Sequence, residues 1–252
     1  MSVTVFSSTG CIRCNIVKTY LNNRGISFVE HDIKTTEGSD VFKAFYREQR
    51  SAIQRDENGI FFPVISDNGH VVQDAGSCLA WFICGNQLDG AVTPNNLGHG
   101  WIGGLNISAC NAGNSLFFLE ILRLLKTGGL AIALSTTGNN PFLLEKILKE
   151  KLADKVEFKF ADPKNNNENL ATSLAVVECF TDEVNLNFIV DINAAGGRLA
   201  LADVALIAKF LADTTGNTKL PLCIVDSSSD NRVNLLPYRT EARRWQTLAE
   251  LA

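Results

Sequence analysis

The chain has 252 residues, of which 46% are hydrophobic and 20% charged, and its net charge is −4. These values are typical of a globular protein with room for two domains, and they exclude the clustered basic excess of most nucleic-acid-binding proteins. No basic and apolar leader precedes the first predicted strand. The most apolar window, residues 116–134, is interrupted by charged residues and by Gly128-Gly129. We therefore expect a cytoplasmic protein without a nucleic-acid or membrane partner.

The cysteines divide into two groups. Their number, seven, is odd, and in a chain without a secretory leader this predicts reduced thiols rather than a disulfide framework. Cys11 and Cys14 lie between a polar loop and an amphipathic helix. The other cysteines lie within apolar stretches, where a thiol packs as a small buried hydrophobe. These five are Cys78, Cys84, Cys110, Cys179 and Cys223.

The first 85 residues are predicted to form a βαβαββα domain. Runs of β-branched and aromatic residues indicate strands, apolar residues at helical spacing indicate helices, and Asn68-Gly69 indicates a hairpin turn. A polar segment containing Gly90 and Pro94 predicts a linker over residues 86–102. The predicted strands are 3–6, 26–33, 60–65 and one that starts at 71, and the predicted helices are 15–25, 40–53 and 77–84.

Residues 103–252 are predicted to form a second domain, in which strands and helices alternate. Such alternation indicates parallel βα units, which build either an open sheet or a segment of a barrel. The expected fold class is therefore α/β, with a βα-repeat domain similar to a partial TIM barrel. The predicted strands are 103–109, 130–134, 156–160, 186–192 and 222–225, and the predicted helices are 115–126, 142–152, 168–180 and 199–213.

Cys11-Ile12-Arg13-Cys14 is the motif that indicates chemistry. It lies where a loop after a strand turns into a helix, and the first turn of a helix offers free N–H groups and the positive end of the helix dipole. Both favour a thiolate over a thiol. Arg13 adds a positive charge if its side chain points towards Cys11. Cys14, one turn further, is expected to be more sheltered, which suits a resolving thiol.

A second feature is Pro63, which interrupts a predicted strand within Phe62-Pro63-Val64. A proline cannot donate to the hydrogen bonds of a sheet, and one solution is a cis bond in a turn that faces a site. The element order, the Cys-x-x-Cys after the first strand, this proline and residues 73–77 together resemble the glutaredoxin branch of the thioredoxin-like fold. The resemblance covers residues 1–85.

The resemblance implies thiol–disulfide exchange, with Cys11 as nucleophile, Cys14 as resolving thiol and Pro63 as cis proline. Known members use glutathione as reductant or substrate. Glutathione and a protein disulfide client are therefore the expected partners, and no other cofactor is expected. The family usually has a proline and an aromatic residue between its cysteines, where this chain has Ile12 and Arg13.

The resemblance also implies residues that contact glutathione or the substrate. Gly76 and Ser77 lie where the family binds a glutathione carboxylate, and Arg13, Phe62 and Pro63 complete this predicted site. The family usually has a small β-branched residue in place of Phe62, and a glycine doublet where this chain has Gln73-Asp74. The stretch 11–24 also resembles arsenate reductases with a thioredoxin-like fold, which is a minor alternative.

Three other interpretations of the cysteine pair stay open. A Cys-x-x-Cys can be half of a zinc site, although the sequence has no second such pair and only three histidines. The pair can also be two structural thiols. One cysteine can hold an iron–sulfur cluster together with glutathione, as in some relatives of glutaredoxin. Redox exchange is the preferred interpretation, and no resident metal is expected.

The second domain has a resemblance of its own. Residues 127–139 and 159–164 are similar to motifs of the radical-SAM enzymes that activate glycyl-radical enzymes, over about residues 104–225. That family binds its cluster through three cysteines spaced x3 and x2, which this chain lacks. We therefore expect a related fold without that chemistry, in which the ends of the strands form a pocket. The predicted pocket residues are Cys110, Asn114, Thr137, Asn139, Asp162, Asp191 and Asp226.

Two classes of function follow from the sequence. The first is an enzyme, a dithiol–disulfide oxidoreductase whose second domain binds the client or a ligand. The alternative is a redox-sensing or regulatory protein, linked to a glycyl-radical-enzyme system, that has no turnover.

Overall fold

The structure, a computed structural model, describes residues 3–56, 59–95, 97–98, 100–160, 168–193, 197–228 and 233–251. The chain divides into two compact units, Met1–Ala133 and Leu134–Ala252. Both units combine strands with helices, which confirms the predicted α/β class.

Strands and helices alternate through the first unit. The strands are β1 (Val3–Ser7), β2 (Phe28–Asp32), β3 (Arg55–Asp56), β4 (Gly59–Ile60), β5 (Val64–Asp67), β6 (His70–Gln73) and β7 (Trp101–Asn106). The helices are α1 (Ile12–Asn23), α2 (Thr36–Glu48), α3 (Ala75–Cys84) and α4 (Ser115–Thr127). Short 3-10 helices follow α3 and β7, at Gly85–Leu88 and Ile107–Ala109.

The first sheet has the strand order β2-β1-β5-β6. β1 is parallel to β2 and antiparallel to β5, and β5 and β6 form an antiparallel hairpin. Asn68 and Gly69 in the hairpin turn have φ angles of 50° and 84°, as a two-residue type I′ turn requires. The predicted βαβαββα order is therefore confirmed, with the short β3–β4 pair added between α2 and β5.

An aromatic cluster forms the core on one face of this sheet. Phe6 is 1% exposed, and its ring centroid lies 5.1 Å from that of Phe42 and 4.7 Å from that of Phe45. Phe62 joins the cluster, 5.3 Å from Phe42. The alternation of β1 and the helical spacing of α2 bring these rings together, since each element presents one apolar face.

The first unit extends beyond the predicted linker. A Cβ added at Gly76 of α3 would meet Val92 Cγ1 at 3.2 Å, Ile102 Cδ1 at 3.6 Å and Leu105 Cδ2 at 3.8 Å. At the end of α4, a Cβ on Gly128 would collide with the side chain of Ile16 on α1. β7 therefore packs on α3, and the end of α4 packs on α1.

A second, six-stranded parallel sheet follows the order of the sequence, β12-β11-β10-β9-β8-β7. Its remaining strands are β8 (Ala131–Thr136), β9 (Lys155–Phe160), β10 (Asn185–Asp191), β11 (Leu222–Val225) and β12 (Ala249–Leu251). The helices of the second unit are α5 (Pro141–Lys149), α6 (Glu168–Glu178), α7 (Leu201–Thr215) and α8 (Leu236–Ala242). A sheet in which each strand pairs with the next one along the chain is the predicted βα repeat.

The structure differs from the sequence prediction at the C-terminus and in one strand. α8 and β12 are too short to show a periodic pattern, and β12 exists through its parallel pairing with β11 and through bonds from Arg239 Nε and Arg243 Nε to the Ala249 carbonyl. The predicted strand 60–65 is divided between β4 and β5.

Three of the five cysteines that were expected to be buried are not. Cys84 and Cys223 are half-buried. Cys179 is exposed, because α6 ends at Glu178, one residue before it.

Candidate active site around Cys11 and Cys14

The two thiols of the Cys-x-x-Cys motif are joined in a disulfide, with their Cα atoms 5.3 Å apart. Cys11 is the N-cap of α1, and its Sγ accepts a hydrogen bond of 3.1 Å from the Cys14 amide. Cys11 is partly exposed, whereas Cys14 is 0% exposed. The sulfur at the cap thus faces the free N–H groups that stabilise a thiolate, and the second sulfur lies beneath it.

Two carboxylates of β2 hold the loop that leads to Cys11. Glu30 accepts a hydrogen bond from the buried Ser7 hydroxyl and pairs with Lys18 Nζ at 2.7 Å. Asp32 accepts from the Thr9 hydroxyl and from the Thr9 amide, the latter at 3.2 Å. The Thr9 hydroxyl and nearby amides hold the pKa of Asp32 below its usual value. Sequence reasoning missed these residues, since alternation within a strand does not show which polar side chain reaches a neighbouring loop.

The peptide bond between Phe62 and Pro63 is cis, as the resemblance implied. In the register of β1 and β5, Val64 lies opposite Phe6, so Pro63 stands at the end of the sheet where the chain leaves β1 for the loop before Cys11. The Pro63 carbonyl accepts a hydrogen bond of 2.9 Å from the Asp74 amide. The cis proline and the cysteine motif therefore occupy the same end of the sheet.

Arg13, one of the two residues between the thiols, is held by three acceptors. Nη1 pairs with Asp74 Oδ1 at 3.5 Å, where the two side chains are 12% and 1% exposed. Nη2 donates to the Gly98 carbonyl at 3.1 Å and also to the Trp101 carbonyl. The Arg13 side chain thus connects α1 to the residue that precedes α3 and to the start of β7.

Comparison with known proteins gives one result for this part of the chain. Residues 3–69 match the family model for glutaredoxin. The match spans β1 to β5, contains both thiols and the cis proline, and covers about a quarter of the chain. No curated protein matches the sequence. Residues 3–69 are thus a glutaredoxin-like region, and the Cys11–Cys14 pair fits a redox role of that kind.

Two residues that follow the glutaredoxin-like region were predicted to meet glutathione. Gly76 is buried against Val92, Ile102 and Leu105. Ser77 lines a cleft of about 230 Å³ bounded by β6, α3 and the residues after α3, and its Oγ has no hydrogen-bond partner among the described residues. The role of this pair in glutathione binding stays a prediction.

Asp74 carries a buried carboxylate whose titration has a measurable consequence. Burial raises its pKa to about 6, although the Arg13 charge and the amides of Ala75 and Asn95 lower it. Between about pH 4 and 6 the folded protein keeps a proton that the unfolded chain has released, so the free energy of unfolding falls as the pH rises through this window.

We therefore expect the wild-type protein to lose about 2 kcal/mol of stability, relative to Asp74→Asn, as the pH is raised from 4 to 6. Urea unfolding of both proteins at half-unit pH steps measures this difference. Contributions of all other carboxylates are common to both proteins and cancel. A difference that is constant or that grows with pH would contradict the prediction.

The residues predicted to line a pocket of the second domain have other contacts. Cys110 is buried, which raises the pKa of its thiol to about 12, and its Sγ lies 3.8 Å from the Asn106 carbonyl. Asn114 Nδ2 donates to the Gln87 carbonyl at 2.9 Å, and its Oδ1 accepts from the Asn111 amide at 2.8 Å. Both residues belong to the first unit, where Asn114 connects the start of α4 to the segment after α3.

Asp191 and Asp226 come together in the second unit, at the carboxyl ends of β10 and β11. Asp191 Oδ1 accepts from the amides of Asn193 and Ser227. Burial opposes ionisation of Asp191, but hydrogen bonds from the Ser227 hydroxyl and from these two amides hold its pKa below its usual value. Asp226 pairs with Arg198 at 3.4 Å. Thr137 and Asn139 follow β8 in the same unit, and Asp162 lies outside the described residues.

The described residues contain no group of three or more His, Cys, Asp and Glu side chains that could hold a metal ion. Within the same residues, none of the helices combines the length and the apolar character needed to cross a membrane.

Proposed function

We propose that the protein is a dithiol–disulfide oxidoreductase that uses Cys11 as nucleophile and Cys14 as resolving thiol. The observation that carries the proposal is the difference between the two sulfurs. Cys11 is partly exposed at the N-cap of α1, and Cys14 is fully buried at disulfide distance from it. Only the first can meet a large substrate, and only the second is placed to break the bond that the first one makes.

The reaction starts from the reduced pair. The Cys11 thiolate attacks one sulfur of a client disulfide, and the other client sulfur leaves as a thiolate that takes up a proton. The Cys14 thiol then loses its proton and attacks Cys11 Sγ, which releases the second client thiolate. Two electrons pass from the cysteine pair to the client, and the Cys11–Cys14 disulfide seen in the structure is the oxidised product.

A thiol reductant must restore the dithiol, and glutathione is the reductant we propose, since members of the glutaredoxin family use it. Two residues of the predicted glutathione site have partners within the protein: Arg13 binds Asp74 and two carbonyls, and Gly76 packs against Val92, Ile102 and Leu105. A thioredoxin-type reductase is therefore the alternative reductant. Recycling assays with glutathione and with a thioredoxin-type reductase, run side by side on the same protein, decide between the two reductants.

The Cys14→Ser variant tests the proposed roles directly. Without the resolving thiol, the mixed disulfide between Cys11 and the client cannot be released, so we expect it to accumulate to nearly one equivalent. A small protein with one accessible disulfide serves as client, and non-reducing electrophoresis with mass spectrometry identifies the linked cysteine. Formation of no adduct at any ratio of reductant to oxidant, or an adduct through a cysteine other than Cys11, would refute the proposal.

A second candidate function is redox sensing without turnover. The observation in its favour is that Arg13, within the motif, binds the carbonyls of Gly98 and Trp101 at the entrance to β7. In a sensor, this contact is the route by which a change in the Cys11–Cys14 bond would reach β7. Hydrogen exchange of the β7 amides in oxidised and reduced protein distinguishes the two, because a sensor requires a change there and an oxidoreductase does not.

A further inference from the structure

The residue before α3 is an aspartate in an unusual conformation. Asp74 has a φ angle of 69°, is 0% exposed, and makes no side-chain cap to the helix that it precedes. An aspartate at this position ordinarily accepts a hydrogen bond from the first turn of its helix. Here Oδ1 pairs with Arg13, and Oδ2 is buried without a well-formed hydrogen bond among the described residues, although the Ala75 and Asn95 amides lie near enough to lower the pKa of the carboxyl.

The backbone of Asp74 contacts the cis proline, which lies at the same end of the sheet as the cysteine motif. Its amide donates to the Pro63 carbonyl at 2.9 Å, and its carbonyl accepts from the Cys78 amide, also at 2.9 Å. The same residue therefore connects the cis proline through its backbone and the cysteine motif through its side chain. A buried carboxylate in the left-handed region is costly in free energy, which points to a role beyond packing.

We propose that Arg13 and Asp74 form a positioning pair, in which the buried carboxylate anchors the guanidinium beside the motif and offsets its charge at Cys11. Arg13 lies in the first turn of α1, which Cys11 caps, and its guanidinium lies against Asp74, whose amide donates to the Pro63 carbonyl at the same end of the sheet. A cation held there favours the Cys11 thiolate, and the Asp74 carboxylate reduces that effect. The inference rests on the proposed use of Cys11 as nucleophile and names two residues that set its reactivity.

Two other titratable groups interact with residues of the site. Cys78 on α3 interacts with Asp74, and burial together with that carboxylate raises the pKa of the Cys78 thiol well above its usual value. Asp32 on β2 holds Thr9 in the loop before Cys11. Asp32 stays unchanged in variants of Arg13 and Asp74. Asp74→Asn also removes the carboxylate that acts on Cys78, but Cys78 is buried, so alkylation assigned to Cys11 by mass spectrometry reports on the pair.

Two substitutions with opposite expected effects test the pair. Asp74→Asn leaves the guanidinium charge unopposed, so we expect the pKa of the Cys11 thiol to fall by roughly half a unit or more. Arg13→Gln removes the cation, and we expect that pKa to rise by a similar amount. The measurement is the rate of alkylation of Cys11 by iodoacetamide in the reduced full chain against pH, with the site identified by mass spectrometry.

If the pair had only a structural role, both substitutions would shift the pKa of the Cys11 thiol in the same direction, and that result overturns the inference. Arg24→Gln is the matched control, since Arg24 pairs with Glu120 at 3.0 Å on the exposed end of α1. Shifts no larger than that of the control also overturn it. If Asp74→Asn does not fold, Arg13→Lys is measured in its place. Lysine keeps the positive charge, so the pKa of the Cys11 thiol should rise less than in Arg13→Gln. An equal rise counts against the pair.

Alkylation needs no client and no turnover. If the two variants shift the pKa of Cys11 in opposite directions but the protein never forms a mixed disulfide, the positioning pair is supported and the proposed oxidoreductase function is refuted. A trapped client together with unchanged pKa values would give the reverse result.

Discussion

Replacement of Cys11 by serine is expected to reduce disulfide exchange to the uncatalysed background, a loss of roughly 10³-fold or more. A serine hydroxyl is not ionised at neutral pH and cannot form a disulfide, so neither the attack on the client nor the closure of the Cys11–Cys14 bond is possible. The measurement is the initial rate of reduction of a protein disulfide by the fully reduced protein. Since Cys14 is 0% exposed, it is not expected to take over as nucleophile.

Cys179→Ser is the matched control for this experiment. Cys179 is exposed, lies in the second unit and is not part of the Cys-x-x-Cys motif, so exchange should continue at the wild-type rate. Residual exchange in Cys11→Ser above one tenth of the wild-type rate would assign the nucleophile to another cysteine. Loss of activity in both variants would point to damage of the fold rather than of the site.

Replacement of Phe6 by alanine is expected to cost about 3–5 kcal/mol in the free energy of unfolding, the range for a large aromatic side chain removed from a core. Phe6 is 1% exposed and contacts the rings of His31, Phe42 and Phe45. Urea unfolding followed by circular dichroism measures the change. The loss is expected to be large because the cavity lies between β1 and α2, which cannot both collapse into it without moving the loop before Cys11.

Phe142→Ala provides the same chemical change at an exposed position. Phe142 is 83% exposed at the start of α5, so its replacement should change the free energy of unfolding by no more than about 0.5 kcal/mol. A Phe6 variant that is as stable as the Phe142 variant would mean that the aromatic cluster does not carry the stability of the first sheet.

Local patterns account for most of the elements. The alternation of β1, the helical spacing of α1 and α4 and the Asn68-Gly69 turn are properties of short segments, and the structure has each of them. The prediction of α2 began at residue 40, four residues later than the helix does, because the Thr35 hydroxyl caps the helix by accepting a hydrogen bond from the Gly38 amide. A cap is a single side-chain contact, which periodicity does not register.

The amino-acid sequence by itself determined the order of the elements, the placement of the two thiols at the start of a helix and the proline at the edge of the site. These follow from spacing, since neighbours in the chain are neighbours in a helix or a turn. Only the tertiary structure decided the partners of Arg13, the side chains that pack against Gly76 and the carboxylates that hold the loop before Cys11. Each of these contacts joins residues that are far apart in the chain, and such a contact depends on how the elements pack and not on any local pattern.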